Sequence, residues 1–174
     1  MENETLINYE AYKKYYLFSL FKGKHYKSKP RLYYIISSVG IVISLATGFA
    51  FGFDILIKTF LSIFIFLTLL MSLLIFYLPK KYYKSAEKMY EGVNQYKFFE
   101  DYFTVEKNTD EAKGNSQIKY SALYKIYEVQ DYFYIFISRS QAYMVDKSRF
   151  NTSEPETLRE IFKDKLGKKY YKYC

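Results

Sequence analysis

Two long apolar runs without a charged side chain place the strongest constraint on the fold. Leu32–Phe53 and Thr59–Leu78 contain no Asp, Glu, Lys or Arg. An α-helix rises about 1.5 Å per residue, so each run is long enough to cross a hydrocarbon core of roughly 30 Å. A buried helix of a soluble domain seldom stays apolar on every side over this length. The sequence therefore predicts two transmembrane helices, at 32–53 and 57–78.

The stretch "GFAFGFDILIK" places an acid, Asp54, and a base, Lys58, between the two runs. A charge at the centre of a bilayer costs about 2.5–3.5 kcal/mol on insertion scales, and the cost falls near the interface. These two charges therefore predict a short link at the membrane surface. The two spans and the link make a helical hairpin over 32–78.

Basic residues crowd the outer ends of both runs, whereas the link holds Lys58 against Asp54. The positive-inside rule then predicts a two-span protein of the cell membrane with both termini cytoplasmic. The bases lie where they can contact an anionic membrane face, which accounts for the formal charge of +8. No nucleic acid partner is therefore expected. The candidate contacts to lipid headgroups are Lys27, Lys29, Arg31, Lys80, Lys81 and Lys84.

Small residues recur every four positions in the first run, at Gly40, Ser44, Gly48 and Gly52. This spacing forms a groove on one helix face, into which another helix backbone can pack closely. The second span of the same hairpin is the first candidate to fill it. A homodimer, or another membrane protein, is the alternative.

The sequence predicts helices in the segments on either side of the hairpin. Asn8 can cap a helix over about Tyr9 to Lys22, and 1–31 is predicted as a cytoplasmic N-terminal amphipathic helix. This helix packs either on the cytoplasmic domain, which we favour, or on the membrane. A juxtamembrane helix is predicted over 79–93. The first 31 residues do not resemble a cleavable signal peptide, and the lone Cys174 predicts no internal disulfide.

From residue 94 onward the sequence changes to aromatic and β-branched runs separated by turns. Glu100 with Asp101, and Gly114 with Asn115, are predicted turns. "DYFYIFIS" is apolar on both faces and predicts a central, covered strand, which "QAYMVDK" follows across a short turn. A final helix is predicted from a capping box of Ser153 and Glu156 and an apolar stripe at Leu158, Ile161, Phe162 and Leu166.

The predicted fold class is therefore membrane α+β. A two-helix transmembrane hairpin carries a small PH-like antiparallel sheet or barrel domain at 94–174, closed by a C-terminal helix.

The order of these parts, with "KFFEDYFTVE", "IKYSALYKIYEVQDYFYIFIS", "QAYMVDKSRF" and "ETLREIFKDKLG", resembles the YcxB family of bacterial membrane proteins. The run from Tyr120 to Phe150 carries most of the resemblance. Asp146 and Lys147 stand where the family pattern leads us to expect a Pro-Lys pair. The resemblance implies a cytoplasmic PH-like domain on a membrane hairpin, with a biochemical role that is poorly defined.

The sequence contains no catalytic signature and predicts no cofactor, metal site or enzymatic activity. The single histidine, His25, lies among lysines near the membrane, and paired acids such as Asp110 and Glu111 fall in predicted turns. We expect a membrane-anchored interaction or regulatory module with membrane lipids and a protein partner of unknown identity. The alternative is a PH-like module that binds anionic lipids of the inner leaflet, helped by the lysines of the C-terminal tail.

Overall fold

The computed structural model describes residues 1–22, 28–85, 92–108 and 113–173. The chain divides into two compact units. One unit combines Met1–Ala11 with Ala86–Cys174, and the other is Tyr12–Ser85. His25 and Lys27 lie outside the described residues, as do Asp110, Glu111 and Cys174, and so do residues 86–91 of the predicted juxtamembrane helix.

The helical unit is built around a hairpin. Helix α1 spans Tyr9–Phe21, and the amide of Ala11 donates to Asn8 Oδ1 at 2.9 Å, which is the cap that the sequence predicts. Helix α2 spans Lys29–Phe51, with Pro30 in its first turn, where a missing amide proton costs nothing. Helix α3 spans Ile55–Ser72 and continues through a π-helical turn at Leu73–Tyr77 into helix α4, Leu78–Ser85.

Two helical stretches, Lys29–Phe51 and Ile55–Ser85, are long and apolar enough to cross a membrane by length and composition. Their most apolar windows have mean hydropathies of 1.9 and 2.6. The short connection between them places Asp54 at the start of α3, as expected, whereas Lys58 lies within the first turn of that helix.

The described residues of the other unit form two four-stranded sheets. The first sheet has the strand order β1-β2-β3-β4 and is antiparallel throughout. Its strands are β1, Glu2–Leu6; β2, Val93–Phe98; β3, Tyr102–Asn108; and β4, Lys113–Lys119. The turn between β2 and β3 contains Glu100 and Asp101, as the sequence predicts.

The second sheet has the order β7-β6-β5-β8. Strand β6, Tyr132–Phe136, is buried at every position and lies between β5, Lys125–Glu128, and β7, Ala142–Asp146. Both neighbours are antiparallel to β6. Strand β8, Tyr170–Lys172, pairs with β5 in parallel. The central position of "YFYIF" agrees with its two-sided apolar pattern.

Helix α5, Glu154–Leu166, packs its apolar stripe on the core between the sheets. Leu158, Phe162 and Leu166 are buried, and Ile161 packs against the same core. The Phe162 ring meets Phe98, Tyr120 and Phe133 edge-on, at centroid distances of 6.2, 5.7 and 5.6 Å. Burying an aromatic side chain of this size contributes roughly 1.5–3 kcal/mol, so α5 is an integral part of the unit.

Several sequence predictions need correction. Gly114 and Asn115 lie inside β4, opposite Lys107 and Glu106, rather than in a turn. Ser153 makes no side-chain cap, since its backbone is already helical and Asn151 N instead donates to Glu154 Oε2 at 2.8 Å. The predictions also missed β1 and β8, and β1 occupies part of 1–31, where a helix is predicted.

The boundaries of the predicted segments differ from the structure as well. Val93, predicted as the end of a juxtamembrane helix, already begins β2. The unit that contains 94–174 also contains Met1–Ala11.

Candidate functional site

The face of α2 that carries the small residues lies against the rest of the hairpin. Gly40, Ser44 and Gly48 are buried. A Cβ atom added at Gly40 would lie 2.5 Å from the ring of Phe64 on α3, and one added at Gly48 would lie 2.2 Å from the ring of Phe53. Both distances are shorter than real Cβ atoms show, so a side chain at either position would displace the ring. Glycine at these two positions therefore leaves room for the Phe64 and Phe53 rings to lie against α2.

Gly52 is placed differently from the other three small residues. It follows the last residue of α2 with φ of +89°, a backbone conformation that favours glycine, and an added Cβ would meet no atom within 4 Å. Its role is to let the chain turn. Asp54 then caps α3, because its side chain accepts a hydrogen bond from Ile57 N at 2.8 Å.

The outward faces of the hairpin helices are apolar and exposed. Phe51, Ile55 and Leu69 have exposed fractions of 86%, 83% and 65%. In the most apolar window of the second helical stretch 6% of residues are buried, and in that of the first 22% are. The core helix of a soluble protein would be mostly buried, so these helices have an unusual amount of apolar surface.

Aromatic and basic side chains gather at the end of the hairpin opposite the tip. Lys13 Nζ lies 5.4 Å from the centroid of the Phe76 ring, and Tyr34 Oη lies 2.9 Å from Ser72 Oγ. Helix α1 contacts α4 and α2 here through aromatic rings. The ring pairs are Tyr12 with Tyr83, Tyr16 with Tyr82 and Phe21 with Tyr33, at centroid distances of 5.6, 6.4 and 6.2 Å.

The candidate headgroup residues lie at this same end. Lys29 is half-buried and donates to the carbonyl oxygen of Phe21 at 3.0 Å. The remaining described candidates have exposed side chains. They are Arg31, Lys80, Lys81 and Lys84.

A cluster of charged groups that sequence reasoning did not single out surrounds Glu128 on β5. The carboxylate has no exposed surface and accepts hydrogen bonds from Arg159 on α5, from Nε at 2.9 Å and from Nη2 at 2.8 Å. Lys147 Nζ donates to Glu128 Oε1 and to the carbonyl oxygen of Val129, both at 2.6 Å. The Tyr170 hydroxyl of β8 donates to Glu128 Oε2. One carboxylate thus joins four separate parts of the unit.

The electrostatics of the cluster favour the charged state of Glu128. Burial alone would disfavour the carboxylate, but the hydrogen bonds from Arg159, Lys147 and Tyr170 outweigh it and lower the pKa of Glu128 to about 2. Burial and the hydrogen bond to Glu128 raise the pKa of Tyr170. Glu128 is therefore ionised at neutral pH, and the Tyr170 hydroxyl keeps the proton that it donates.

A second polar group joins the two sheets. Asn3 Nδ2 donates to the carbonyl oxygen of Asp146 at 2.8 Å, and Asp146 N donates to Thr5 Oγ1 at 2.9 Å. Thr5 in turn donates to Asn3 Oδ1 at 2.7 Å. Both side chains are buried. Strand β1 therefore connects to β7 through side chains.

The C-terminal lysines are largely engaged by the fold. Lys165 pairs with Asp101 at 2.8 Å, Lys163 pairs with Glu160 at 3.0 Å, and Lys169 donates to the carbonyl oxygen of Leu123 at 3.1 Å. Within the described residues, no group of three or more His, Cys, Asp or Glu side chains is arranged to hold a metal ion.

The described parts define a class of protein: an α+β unit with two four-stranded sheets, joined in sequence to a pair of long apolar helices. Residues 98–162, from the end of β2 into α5, match the family of the YcxB-like protein, which confirms the resemblance over that segment. Comparisons with curated proteins and with solved structures gave no match. The helical hairpin and strands β1 and β8 lie outside the matched residues.

Proposed function

We propose that this protein is a membrane-anchored, non-catalytic interaction or regulatory module. The hairpin inserts into the cell membrane with both termini in the cytoplasm. It carries a PH-like domain that recruits a protein partner.

The observation that carries this proposal is the exposed apolar surface of α2 and α3. Leaving a large apolar side chain in water forgoes roughly 1.5–3 kcal/mol relative to burial, and the hairpin leaves many such side chains without protein cover. A bilayer provides that cover. The polar groups of the spans support the same reading, because Ser44, Thr47 and Thr68 donate to carbonyl oxygens of their own helices.

The distribution of charge supports the proposed orientation. Four exposed bases, Arg31, Lys80, Lys81 and Lys84, lie at one end of the hairpin, and the tip holds Asp54 and Lys58. By the positive-inside rule, the end with four bases faces the cytoplasm. The aromatic rings at that end suit the level of the lipid headgroups.

The PH-like assignment rests on the arrangement of the second unit. Consecutive antiparallel strands form two sheets, and a C-terminal helix packs its apolar stripe on the core between them. The match of residues 98–162 to the YcxB-like family supports this reading.

Strand β4 is the edge we propose for protein recruitment. It is the outer strand of the first sheet, and its side chains from Gly114 to Gln117 are exposed. An outer strand offers unpaired backbone groups to which a partner can add a strand.

Binding of anionic headgroups is the alternative, favoured by the four exposed bases at the base of the hairpin. Lysines near an anionic membrane contribute about 1 kcal/mol each. The C-terminal lysines give it less support, since Lys163, Lys165 and Lys169 have partners within the protein.

A photo-crosslinking residue at Gln117 in the full chain tests the proposal in native membranes. The matched control carries the same residue at Thr104, which pairs with Gln117 across β3 and β4 and so reports on the sheet face rather than the edge. We expect a discrete protein adduct at 117, and none at 104, even when the membranes are irradiated in 1 M salt. Lipid adducts that form at low salt but not during irradiation in 1 M salt, where the Debye length falls to about 3 Å, would favour the headgroup alternative. A chain without a protein adduct at 117 would refute recruitment through β4.

A further inference from the structure

A narrow groove opens between α2 and α3 on one side of the hairpin, with a volume of about 510 Å³. Phe64 lies against Gly40 towards the middle of the spans, and Asp54 lies at the tip. The side walls consist of large apolar residues. These include Ile43 and Phe51 from α2, and Ile57 and Phe60 from α3.

The groove offers little for a polar ligand to bind along its length. The hydroxyl of Ser44 donates to the carbonyl oxygen of Gly40 at 2.8 Å, and that of Thr47 donates to the carbonyl oxygen of Ile43 at 2.9 Å. Both hydroxyl protons are therefore used within α2. The groove suits an apolar occupant.

The length of the groove suits a single hydrocarbon chain. From Gly40 to Phe51 the helix rises about 16 Å, close to half of a hydrocarbon core of roughly 30 Å. An acyl chain of one leaflet matches this length.

The polar end of the groove carries a negative charge. Asp54 uses Oδ1 to accept from Ile57 N, and a carboxylate offers about four acceptor sites in total. Asp54 forms no ion pair with any described residue, including Lys58 one turn further along α3. A primary ammonium group has three donors and the complementary charge.

We propose that the groove binds one acyl chain of a phospholipid from the leaflet at the hairpin tip, and that Asp54 accepts hydrogen bonds from its primary ammonium headgroup. This inference rests on the proposed insertion of the hairpin into a membrane. The headgroup chemistry is that of phosphatidylethanolamine, and the site is separate from the basic end of the hairpin.

The test is native mass spectrometry of the full chain, released by mild detergent from vesicles of phosphatidylethanolamine and phosphatidylglycerol. Thr47→Phe and Ile43→Trp place large side chains at two residues that line the groove. Ala46→Phe is the matched control, because Ala46 is exposed on α2 and does not line the groove. Asp54→Asn keeps a side chain that can cap α3 but removes the charge.

We expect one phosphatidylethanolamine per wild-type chain. Both filling variants reduce the retained fraction by about tenfold, equivalent to 1.4 kcal/mol, and Ala46→Phe leaves it unchanged. Asp54→Asn still retains lipid but no longer prefers phosphatidylethanolamine. Equal retention in the filling variants and the control, or no retained lipid in the wild type, would overturn the proposal. So would a chain dimer that the filling variants dissociate.

Extraction at alkaline pH separates this inference from the proposed function. A wild-type chain that leaves the membrane fraction at alkaline pH contradicts both. A chain that stays in the membrane without a retained lipid contradicts the groove alone.

Discussion

Arg159 on α5 donates hydrogen bonds to the buried carboxylate of Glu128 on β5, from Nε to Oε2 at 2.9 Å and from Nη2 to Oε1 at 2.8 Å. Helix α5 is therefore held to the second sheet by charge as well as by the apolar contacts of Phe162. Lys147 and Tyr170 bind the same carboxylate from the turn after β7 and from β8. The cluster therefore links α5, β8 and the turn after β7 to one acid on β5.

Replacing Arg159 with Met should destabilise the protein by about 3 kcal/mol, because removing one partner of a buried ion pair leaves the other charge undercompensated. Denaturant unfolding of the full chain in mild detergent measures the change. Lys163→Met is the matched control on the same helix, since its pair with Glu160 is exposed and should contribute less than about 1 kcal/mol. Equal effects of the two substitutions would refute a stabilising role for the cluster.

The Glu128 cluster also predicts a specific pH dependence. The folded state lowers the pKa of Glu128 to about 2 from the ordinary value of 4.5, so its contribution to stability is complete above pH 4.5 and is lost as the pH falls towards 2. The free energy of unfolding of the wild type should therefore fall more steeply over this interval than that of Glu128→Gln. Parallel pH profiles for the two proteins would show that Glu128 titrates normally in the folded state.

Gly40→Val should disrupt the hairpin, because the new side chain must displace the Phe64 ring, at a cost of about 1–3 kcal/mol. Phe64→Ala in the same chain should recover part of this loss, and thermal unfolding in detergent measures each variant. Ala46→Val, at an exposed position on the same helix, serves as the control. If the loss were the same with and without Phe64, the two residues would not be in contact.

Thr5→Val tests the join between the sheets. The substitution removes the acceptor of the Asp146 amide and the donor to Asn3 Oδ1, which should cost about 1–3 kcal/mol. Thr5→Ser, which keeps the hydroxyl, should cost less. Hydrogen exchange at the Asp146 amide gives a local readout, with faster exchange expected in Thr5→Val. Unchanged exchange would show that Thr5 does not hold β7.

The sequence predicts well wherever the apolar pattern is long or two-sided. The first charge-free run lies mostly in α2, and the second extends from α3 through the π-helical turn to the start of α4. The fully apolar "YFYIF" is the covered central strand. Strand β1 escaped prediction because the residues it buries, Asn3 and Thr5, are polar, so its alternation does not appear as a hydrophobic pattern. Strand β8 is three residues long and pairs with a strand distant in sequence. Local propensity cannot report such a pairing.

The polar features of the candidate sites were harder to foresee. Gly114 and Asn115 favour turns by residue type, but in the structure they pair with residues of β3 and lie within a strand. The Ser153 capping box failed because Glu154 satisfies the preceding Asn151 amide. The sequence does show Glu128 as an acid within an apolar strand, which could have marked it as a candidate. Its partners Lys147 and Arg159 are distant in sequence and contact it only in the tertiary fold.

The most direct test of the central claim is the sidedness of the hairpin tip in intact cells. The single native cysteine, Cys174, and a cysteine introduced at the tip by Lys58→Cys in a Cys174→Ser background serve as reporters. Membrane insertion with cytoplasmic termini predicts that an impermeant maleimide labels position 58 from outside and labels Cys174 only after the cells are opened. Labelling of Cys174 but not of position 58 in intact cells would reverse the orientation. Protection of both, in a protein that alkaline buffer extracts from the membrane fraction, would contradict insertion itself.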